Sequence, residues 1–131
     1  MALVVHKYGG TSMGSIDRIK NVARRGAKWH DAGYQVVVVP SAMAGETNRL
    51  IGLAKEIMPE PDQRELDMVT STGEQVSIGL LSMALMQLGK EAVSFTGWQV
   101  PVKTDTSHTK ARIQSIDDER IRENLGKGKI V

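Results

Sequence analysis

A run of four consecutive valines, Val36 to Val39, constrains the fold of this chain more than any other feature. The run is apolar at every position, and β-branched side chains favour strands. We therefore predict a strand over Tyr34 to Val39 that is buried on both faces. Strands buried in this way are typical of parallel sheets, so the run favours a parallel sheet.

A strand and a helix are predicted before the valines. The apolar residues Leu3 to Val5 indicate a short buried strand that ends at Gly9 and Gly10. Apolar residues then recur at helical spacing, with Ser15 as the N-cap and Gly33 as the stop. This order predicts a β-α-β unit of the right-handed kind, in which ligands bind beyond the carboxyl ends of the strands.

Two helices are predicted after the valines. The segment Pro40 to Glu46 has the composition of a loop, and Thr47 is predicted to cap a helix that runs to about Met58. A longer helix is predicted over Glu65 to Leu88, with a possible break at Gly73. Because its second half is apolar nearly all round, we expect it to be central in the fold.

The last third of the chain gives weaker signals. A strand is predicted over Ala92 to Phe95, irregular structure over Trp98 to Thr109 and an edge strand over Ala111 to Ile116. Asp117 to Leu125 is predicted as a helix capped by Asp117. Lys129 to Val131 resembles the beginning of a strand. The whole pattern predicts an α/β fold, and we interpret the chain as incomplete.

Composition excludes several classes of protein. The 131 residues are 40% hydrophobic and 24% charged, as in a single folded domain, and contain no apolar run long enough to cross a bilayer. A cytoplasmic location is therefore expected. No cysteine is present, which excludes disulfides and thiolate chemistry. The net charge of +2 gives little support to a nucleic-acid partner.

The segment Lys7 to Ser12 is the first candidate site. Its two adjacent glycines, Gly9 and Gly10, let backbone amides approach an anion, and Lys7 adds a mobile positive charge. Together they suit a polyphosphate. A turn that needs positive φ at the glycines explains the same residues equally well. The order of residues fits neither a P-loop nor the dinucleotide-binding fingerprint.

A rival interpretation concerns Ser12. The segment Gly10 to Gly14 satisfies the G-x-S-x-G pattern of a nucleophile elbow, with Asp105 and His108 downstream in the order of an α/β hydrolase. Such an elbow normally follows several earlier strands, whereas only one strand is predicted before Ser12. The serine hydrolase is therefore kept as the alternative function.

Two further segments could bind a substrate. The hydroxyls and helix-start amides of Ser41 to Asn48 could hold a small carboxylate, although an ordinary capped loop explains them too. In Ser71 to Gln75, the acidic Glu74 lies in apolar sequence and needs a cation, either a substrate ammonium or a structural Lys or Arg. None of the three histidines has metal-ligand spacing, so no metal site on the chain is predicted.

The three segments together resemble the aspartokinase family, within the amino-acid kinase superfamily. Lys7 to Ser12 is similar to the K-[FY]-G-G-[TS]-S signature. Ser41 to Met43 with Thr47 and Leu50 is similar to the second signature segment, and Ser71 to Glu74 to the third. The resemblance covers essentially the whole chain and implies a three-layer αβα sandwich on a mainly parallel sheet.

The resemblance also implies an activity. Family members transfer the γ-phosphoryl group of ATP to the β-carboxylate of L-aspartate, in the first step towards lysine, threonine and methionine. They use Mg²⁺ and usually form homo-oligomers. Another amino-acid or carbamate kinase is the nearest variant. The chain would be the amino-terminal part of the catalytic domain, without the rest of that domain or the regulatory ACT domains, and inactive by itself.

Site residues are implied position by position. Lys7 would be catalytic, and it would hold the ATP phosphates with the amides of Gly9 and Gly10. Ser41 and Thr47 would place the aspartate, and Glu74 would bind its ammonium group. The full set expected around the nucleotide is Lys7, Tyr8, Gly9, Gly10, Thr11, Ser12 and Ser41.

Overall fold

The computed structural model describes every residue from Met1 to Val131. Strands β1 (Leu3–Tyr8) and β2 (Gln35–Pro40) pair in parallel and are connected by helix α1 (Ile16–Asp31). The predicted parallel sheet is therefore confirmed. The carboxyl ends of both strands lie at the same edge of the sheet. The turn after β1 and the loop after β2 therefore begin side by side.

Helix α1 begins and ends as its sequence predicts. The Ser15 hydroxyl accepts a hydrogen bond from the amide of Arg18 at 3.2 Å, which satisfies one of the free amides at the helix start. Gly33, with φ of +96°, adopts the left-handed conformation that ends the helix. A short 3₁₀ turn, Gly10–Met13, separates β1 from α1, so α1 does not begin directly after the glycine pair.

The next two helices differ from the prediction in two places. Helix α2 (Glu46–Ile57) is capped by Gly45 rather than by Thr47, because Gly45 adopts a φ of +80° and Thr47 already lies in the first turn. Helix α3 (Gln63–Gln87) continues without a break through Gly73. The glycine allows a close contact with another segment, described below, and does not interrupt the helix.

A small hairpin and a helix complete the ordered elements. Strands β3 (Val102–Thr104) and β4 (Ile113–Ile116) pair antiparallel, so the predicted edge strand is present while β3 forms in a segment predicted to be irregular. Helix α4 (Glu119–Gly126) has Asp118 as its N-cap. The predicted cap, Asp117, lies one residue before the observed N-cap, and its carboxylate accepts from the amide of Glu119 at 3.1 Å.

The end of the chain joins the sheet beside β2. The amide of Val131 donates to the carbonyl of Val36 at 3.2 Å, and the amide of Val38 donates to the carbonyl of Val131 at 2.7 Å. Ile130 forms a parallel bridge with Ala92. The strand predicted over Ala92 to Phe95 is thus reduced to a single bridge, while the strand-like start at Lys129 to Val131 is confirmed by its pairing.

The core lies on one face of the sheet, between β2 and helices α1 and α3. Val36 is completely buried there against Ile19 and Val22 of α1 and against Leu81 and Leu85 of α3. The structure therefore supplies one helical layer of the expected sandwich. No helix in it combines the length and the apolar character needed to cross a bilayer.

Burial of β2 on both faces was predicted and is wrong for this chain. Val39 is 47% exposed, and Val5, on the same face of the neighbouring strand, is 60% exposed. The second half of α3 was expected to be central, but it is not buried on all sides, because Val76 and Met83 are more than half exposed. The reason is that no element of the chain packs on these surfaces.

Candidate functional site

A cavity of about 260 Å³ lies between the β2–α2 loop, the glycine turn and helix α3. Four residues predicted for the site, one or more from each of the three candidate segments, line it together: Gly10, Ser41, Thr47 and Glu74. The other lining residues are Ala42, Met43, Ala44, Gly45 and Asn48. Residues from three segments that are far apart in the sequence therefore line one cavity in the fold.

Backbone contacts bring the three segments together. The amide of Ser41 donates to the carbonyl of Tyr8 at 2.9 Å, which extends the pairing of the two strands by one residue and joins the first two segments. On the other side, α3 comes so close to the loop that a Cβ placed on Gly73 would lie 3.0 Å from the Cβ of Ala42. Ala42 is buried in this contact.

The polar side chains of the cavity are not used by the fold. The side chains of Ser41, Thr47 and Glu74 make no hydrogen bond within the chain. Glu74 also forms no ion pair, so the structural Lys or Arg partner considered for it is absent from the structure. These groups are available to a polar ligand.

The start of α2 adds backbone donors to the same cavity. Its N-cap, Gly45, has no side chain that could bond to the first amides. The amide of Glu46 bonds to the carbonyl of Met43, but the amides of Thr47 and Asn48 make no bond to the preceding loop. Free amides at the positive end of a helix form a binding site for an anion.

The one acidic side chain in the first turn of α2 is neutralised by an arginine. Arg49 donates to both carboxylate oxygens of Glu46, at 3.0 Å and 2.6 Å. These hydrogen bonds hold the pKa of Glu46 below its ordinary value, and the charge of Arg49 acts in the same direction. The ion pair thus reduces the repulsion that an anionic ligand would meet at this helix start.

The glycine pair is not explained by backbone conformation. Gly9 has φ of −80° and ψ of 174°, a region open to any residue, and Gly10 is not among the glycines with positive φ. The positive-φ explanation is therefore wrong. The amide of Gly9 has no acceptor within the chain, and a Cβ placed on Gly9 would meet nothing within 4 Å. The turn has both a free donor and open space beside it.

The remaining residues predicted for the nucleotide site lie outside the small cavity. Lys7 is exposed on the uncovered face of the sheet, opposite Val39. Tyr8 is half-buried and packs against the core. Thr11 is exposed and Ser12 is partly buried, both within the 3₁₀ turn. Thr11 and Ser12 thus lie in the turn that contains Gly10, and Lys7 and Tyr8 lie at the end of β1 that leads into it.

The predicted serine hydrolase constellation does not form. His108 faces Asp67 of α3, with 3.5 Å between Nδ1 and Oδ2. The Asp105 carboxylate accepts from the amide of Ser107 at 3.0 Å, within its own turn. Neither residue forms a hydrogen bond with Ser12. The chain order of an α/β hydrolase is present in the sequence, but its geometry is absent.

One residue of the site region was missed by the sequence prediction, whereas Asn48, which lines the cavity, belongs to the predicted segment Ser41 to Asn48. Ser77 is completely buried beneath the loop and donates to the carbonyl of Ser41 at 2.8 Å. Its spacing of three residues from Glu74, which places both on one side of a helix, was a weak signal by itself.

A larger cavity of about 680 Å³ lies between β2, α3 and the segment 93–102. Of its 23 lining residues, 15 are hydrophobic. Ile130 and Val131, which lie beside β2, are among its lining residues. A large apolar cavity is often a binding site, and Glu74 lines this one as well, but Ser41 and Thr47 line only the smaller cavity.

The sequence and the fold of this chain are similar to those of known proteins. The chain is 60% identical to the aspartokinase of Pseudomonas aeruginosa over 131 residues, all of this chain and 32% of the relative. The structure of aspartate kinase from Synechocystis matches the whole chain with a TM-score of 0.81 and 41% identity, over 21% of that protein. The structure of E. coli aspartokinase III in complex with aspartate and ADP matches with a TM-score of 0.83. The match covers 99% of this chain and 40% of the aspartokinase III chain. At 20% identity this last likeness shows the fold alone.

The extent of the family match decides the classification. The chain spans about a third of the length of the curated relatives it matches. The amino acid kinase family model nevertheless matches residues 2–131, which is all but the first residue. Because the family model matches nearly the whole chain and the fold agrees with that match, the chain belongs to the amino acid kinase family.

Proposed function

We propose that this chain forms part of the catalytic domain of an aspartate kinase, which transfers the γ-phosphoryl group of ATP to the β-carboxylate of L-aspartate. This reaction is the first step towards lysine, threonine and methionine. One observation carries the proposal: Ser41, Thr47 and Glu74, all without partners in the chain, line one cavity with Gly10 of the glycine turn. The names of the relatives at 50–60% identity support it.

The groups of the cavity are complementary to a small amino acid. The Glu74 carboxylate would pair with the ammonium group of aspartate. The free amides of Thr47 and Asn48, at the positive end of α2, would bind a carboxylate. Ser41 and Thr47 add hydroxyls that donate or accept hydrogen bonds. A ligand with one ammonium and two carboxylates can use all of these groups together.

Phosphoryl transfer needs little acid–base chemistry from the protein. An oxygen of the aspartate β-carboxylate forms a bond to the γ-phosphorus, while the bond from that phosphorus to the bridging oxygen breaks and ADP leaves with the electron pair. The carboxylate is already ionised, so no general base is required. The amide of Gly9 and the ammonium of Lys7 would stabilise the negative charge on the phosphates, and the cavity would hold the acceptor in position.

The expected Mg²⁺ would bind together with the phosphates of ATP. No group of three or more His, Cys, Asp or Glu side chains comes together in the structure. Mg²⁺ is commonly held by substrate phosphates and one or two carboxylates. The proposal therefore includes Mg²⁺ bound with ATP, assembly of the enzyme into homo-oligomers and a location in the cytoplasm.

The proposal is tested on the complete enzyme that contains this chain. Formation of ADP is measured with MgATP and each of three acceptors: L-aspartate, L-glutamate and carbamate. We expect turnover that depends on aspartate, and trapping of the acyl phosphate with hydroxylamine should give aspartyl hydroxamate. Turnover with carbamate or glutamate but not with aspartate would contradict the proposal. The 131-residue chain tested alone is expected to show no aspartate-dependent ADP formation.

A further inference from the structure

Ser77 is the one completely buried polar side chain of the chain, and it connects two walls of the cavity. It lies on α3, three residues after Glu74. Its hydroxyl is 2.8 Å from the carbonyl oxygen of Ser41, a residue 36 positions earlier in the sequence. The same hydroxyl is 3.1 Å from the carbonyl of Glu74 in its own helix.

The bond to the loop is the shorter of the two. A hydroxyl has a single proton to donate, and serines inside helices commonly bond only to a carbonyl of the preceding turn. Three other hydroxyls of α3 follow that common pattern, since Thr70, Ser71 and Thr72 bond only within the helix. Ser77 alone among them reaches another segment.

The peptide groups of Ser41 are thus held from two sides. Its amide donates to the carbonyl of Tyr8 at 2.9 Å, which ties it to β1, and its carbonyl accepts from Ser77, which ties it to α3. The next residue, Ala42, packs against Gly73, one turn before Ser77 on the same side of α3. The loop is therefore held on the helix by one hydrogen bond and by one close contact between the Ala42 side chain and the backbone of Gly73.

We propose that Ser77 is a positioning residue that sets the separation between Glu74 and the β2–α2 loop. Glu74 is carried by α3, and Ser41 and Thr47 are carried by the loop, so the Ser77 bond determines how far apart the two ends of a bound amino acid are held. Ser77 itself is buried and does not line the cavity. The inference rests on the proposed function, because it assigns the effect to the aspartate site.

The effect should be confined to one substrate. The loop and Glu74 would bind aspartate. The phosphates would instead contact Lys7, near the end of β1, and the glycine turn that follows this strand. Removal of the Ser77 hydroxyl should therefore raise the KM for aspartate and leave the KM for ATP unchanged. Substitution of a residue that only stabilised the fold would not raise the KM for aspartate while leaving the KM for ATP unchanged.

The test uses Ser77→Ala in the complete enzyme, with steady-state kinetics for both substrates. We expect the KM for aspartate to rise by about tenfold, with kcat within about twofold and the KM for ATP unchanged. Ser77→Cys, which keeps a weaker donor at nearly the same volume, should give a smaller rise in the same direction. If Ser77→Ala does not fold, the cysteine variant decides the question alone.

A matched control is available on the same helix. Thr70→Val removes a hydroxyl of α3 that bonds only to carbonyls of its own helix, those of Leu66 and Asp67, so both KM values should stay at those of the unsubstituted enzyme. An unchanged KM for aspartate in folded Ser77→Ala, or an equal rise for both substrates, would overturn the positioning role. Absence of aspartate-dependent turnover in the unsubstituted enzyme would instead refute the proposed function, and this inference with it.

Discussion

Gly73 and Ala42 approach so closely that a methyl group on Gly73 would lie 3.0 Å from the Cβ of Ala42. The contact joins the middle of α3 to the loop that follows β2. Glycine lowers helix propensity by about 1 kcal/mol relative to alanine, so its presence inside a 25-residue helix needs a reason. The close approach of the loop is that reason.

The first prediction concerns this contact. Gly73→Ala should destabilise the chain by about 1 kcal/mol, because the cost of overpacking, ~1–3 kcal/mol, exceeds the gain in helix propensity. The matched control is Gly79→Ala on the same helix, where a Cβ meets nothing within 4 Å. That variant should be more stable by up to ~1 kcal/mol. Urea unfolding of both variants measures the difference, and a stabilised Gly73→Ala would show that the loop is free to move.

The second prediction concerns Lys7. In the complete enzyme, Lys7→Ala should lower kcat by several orders of magnitude, about a thousandfold, with a modest change in the KM for aspartate. The reason is that its ammonium would neutralise charge on the phosphoryl group during transfer. Lys20→Ala, which removes an exposed lysine of α1, is the control and should leave kcat unchanged. Near-normal turnover of Lys7→Ala would end the assignment.

The third prediction concerns Glu74. Glu74→Gln keeps the shape of the side chain but removes its charge, so the KM for aspartate should rise by about 10- to 100-fold while the KM for ATP stays constant. Glu65→Gln changes an exposed glutamate at the start of the same helix and should alter neither value. Equal KM values for aspartate in the two variants would mean that Glu74 does not bind the ammonium group.

The fourth prediction concerns pH. The hydrogen bonds from Arg49 lower the pKa of Glu46 from its ordinary value of 4.5. The folded state therefore gains stability from the ionised carboxylate above about pH 4.5, and this gain is lost as the pH falls through the lowered pKa. Arg49→Gln should return the pKa of Glu46 towards its ordinary value, as measured by NMR titration of the side-chain carboxyl.

Glu123 provides an internal reference in the same titration. Its pKa is lowered by the hydrogen bond from Lys127, in helix α4, and should not respond to Arg49→Gln. A parallel shift of both glutamates would indicate a general electrostatic change in place of a local loss of the Arg49 bonds.

Local signals were sufficient for several elements and for the choice of candidate segments. The side chain of Ser15 and the left-handed Gly33 delimit α1 through interactions with residues next to them, so the sequence predicts that helix correctly. The valine run predicts β2 for the same reason, since strand preference and apolar character belong to the residues themselves.

Contacts between distant segments decided the rest. Gly73 has the local character of a helix break, yet the helix continues through it, and the glycine allows Ala42 to pack closely against α3. The exposure of Val39 was equally invisible to local reasoning, because burial depends on what else packs on the sheet.

The sequence by itself thus determined which residues are chemically suited to bind an anion and an ammonium group, because that suitability is a property of each side chain and its neighbours. Only the tertiary structure decided that Ser41, Thr47 and Glu74 share one cavity, and that the buried hydroxyl of Ser77 connects its walls. The physical reason is that a hydrogen bond across 36 residues depends on how the helix packs against the loop, which no local pattern records.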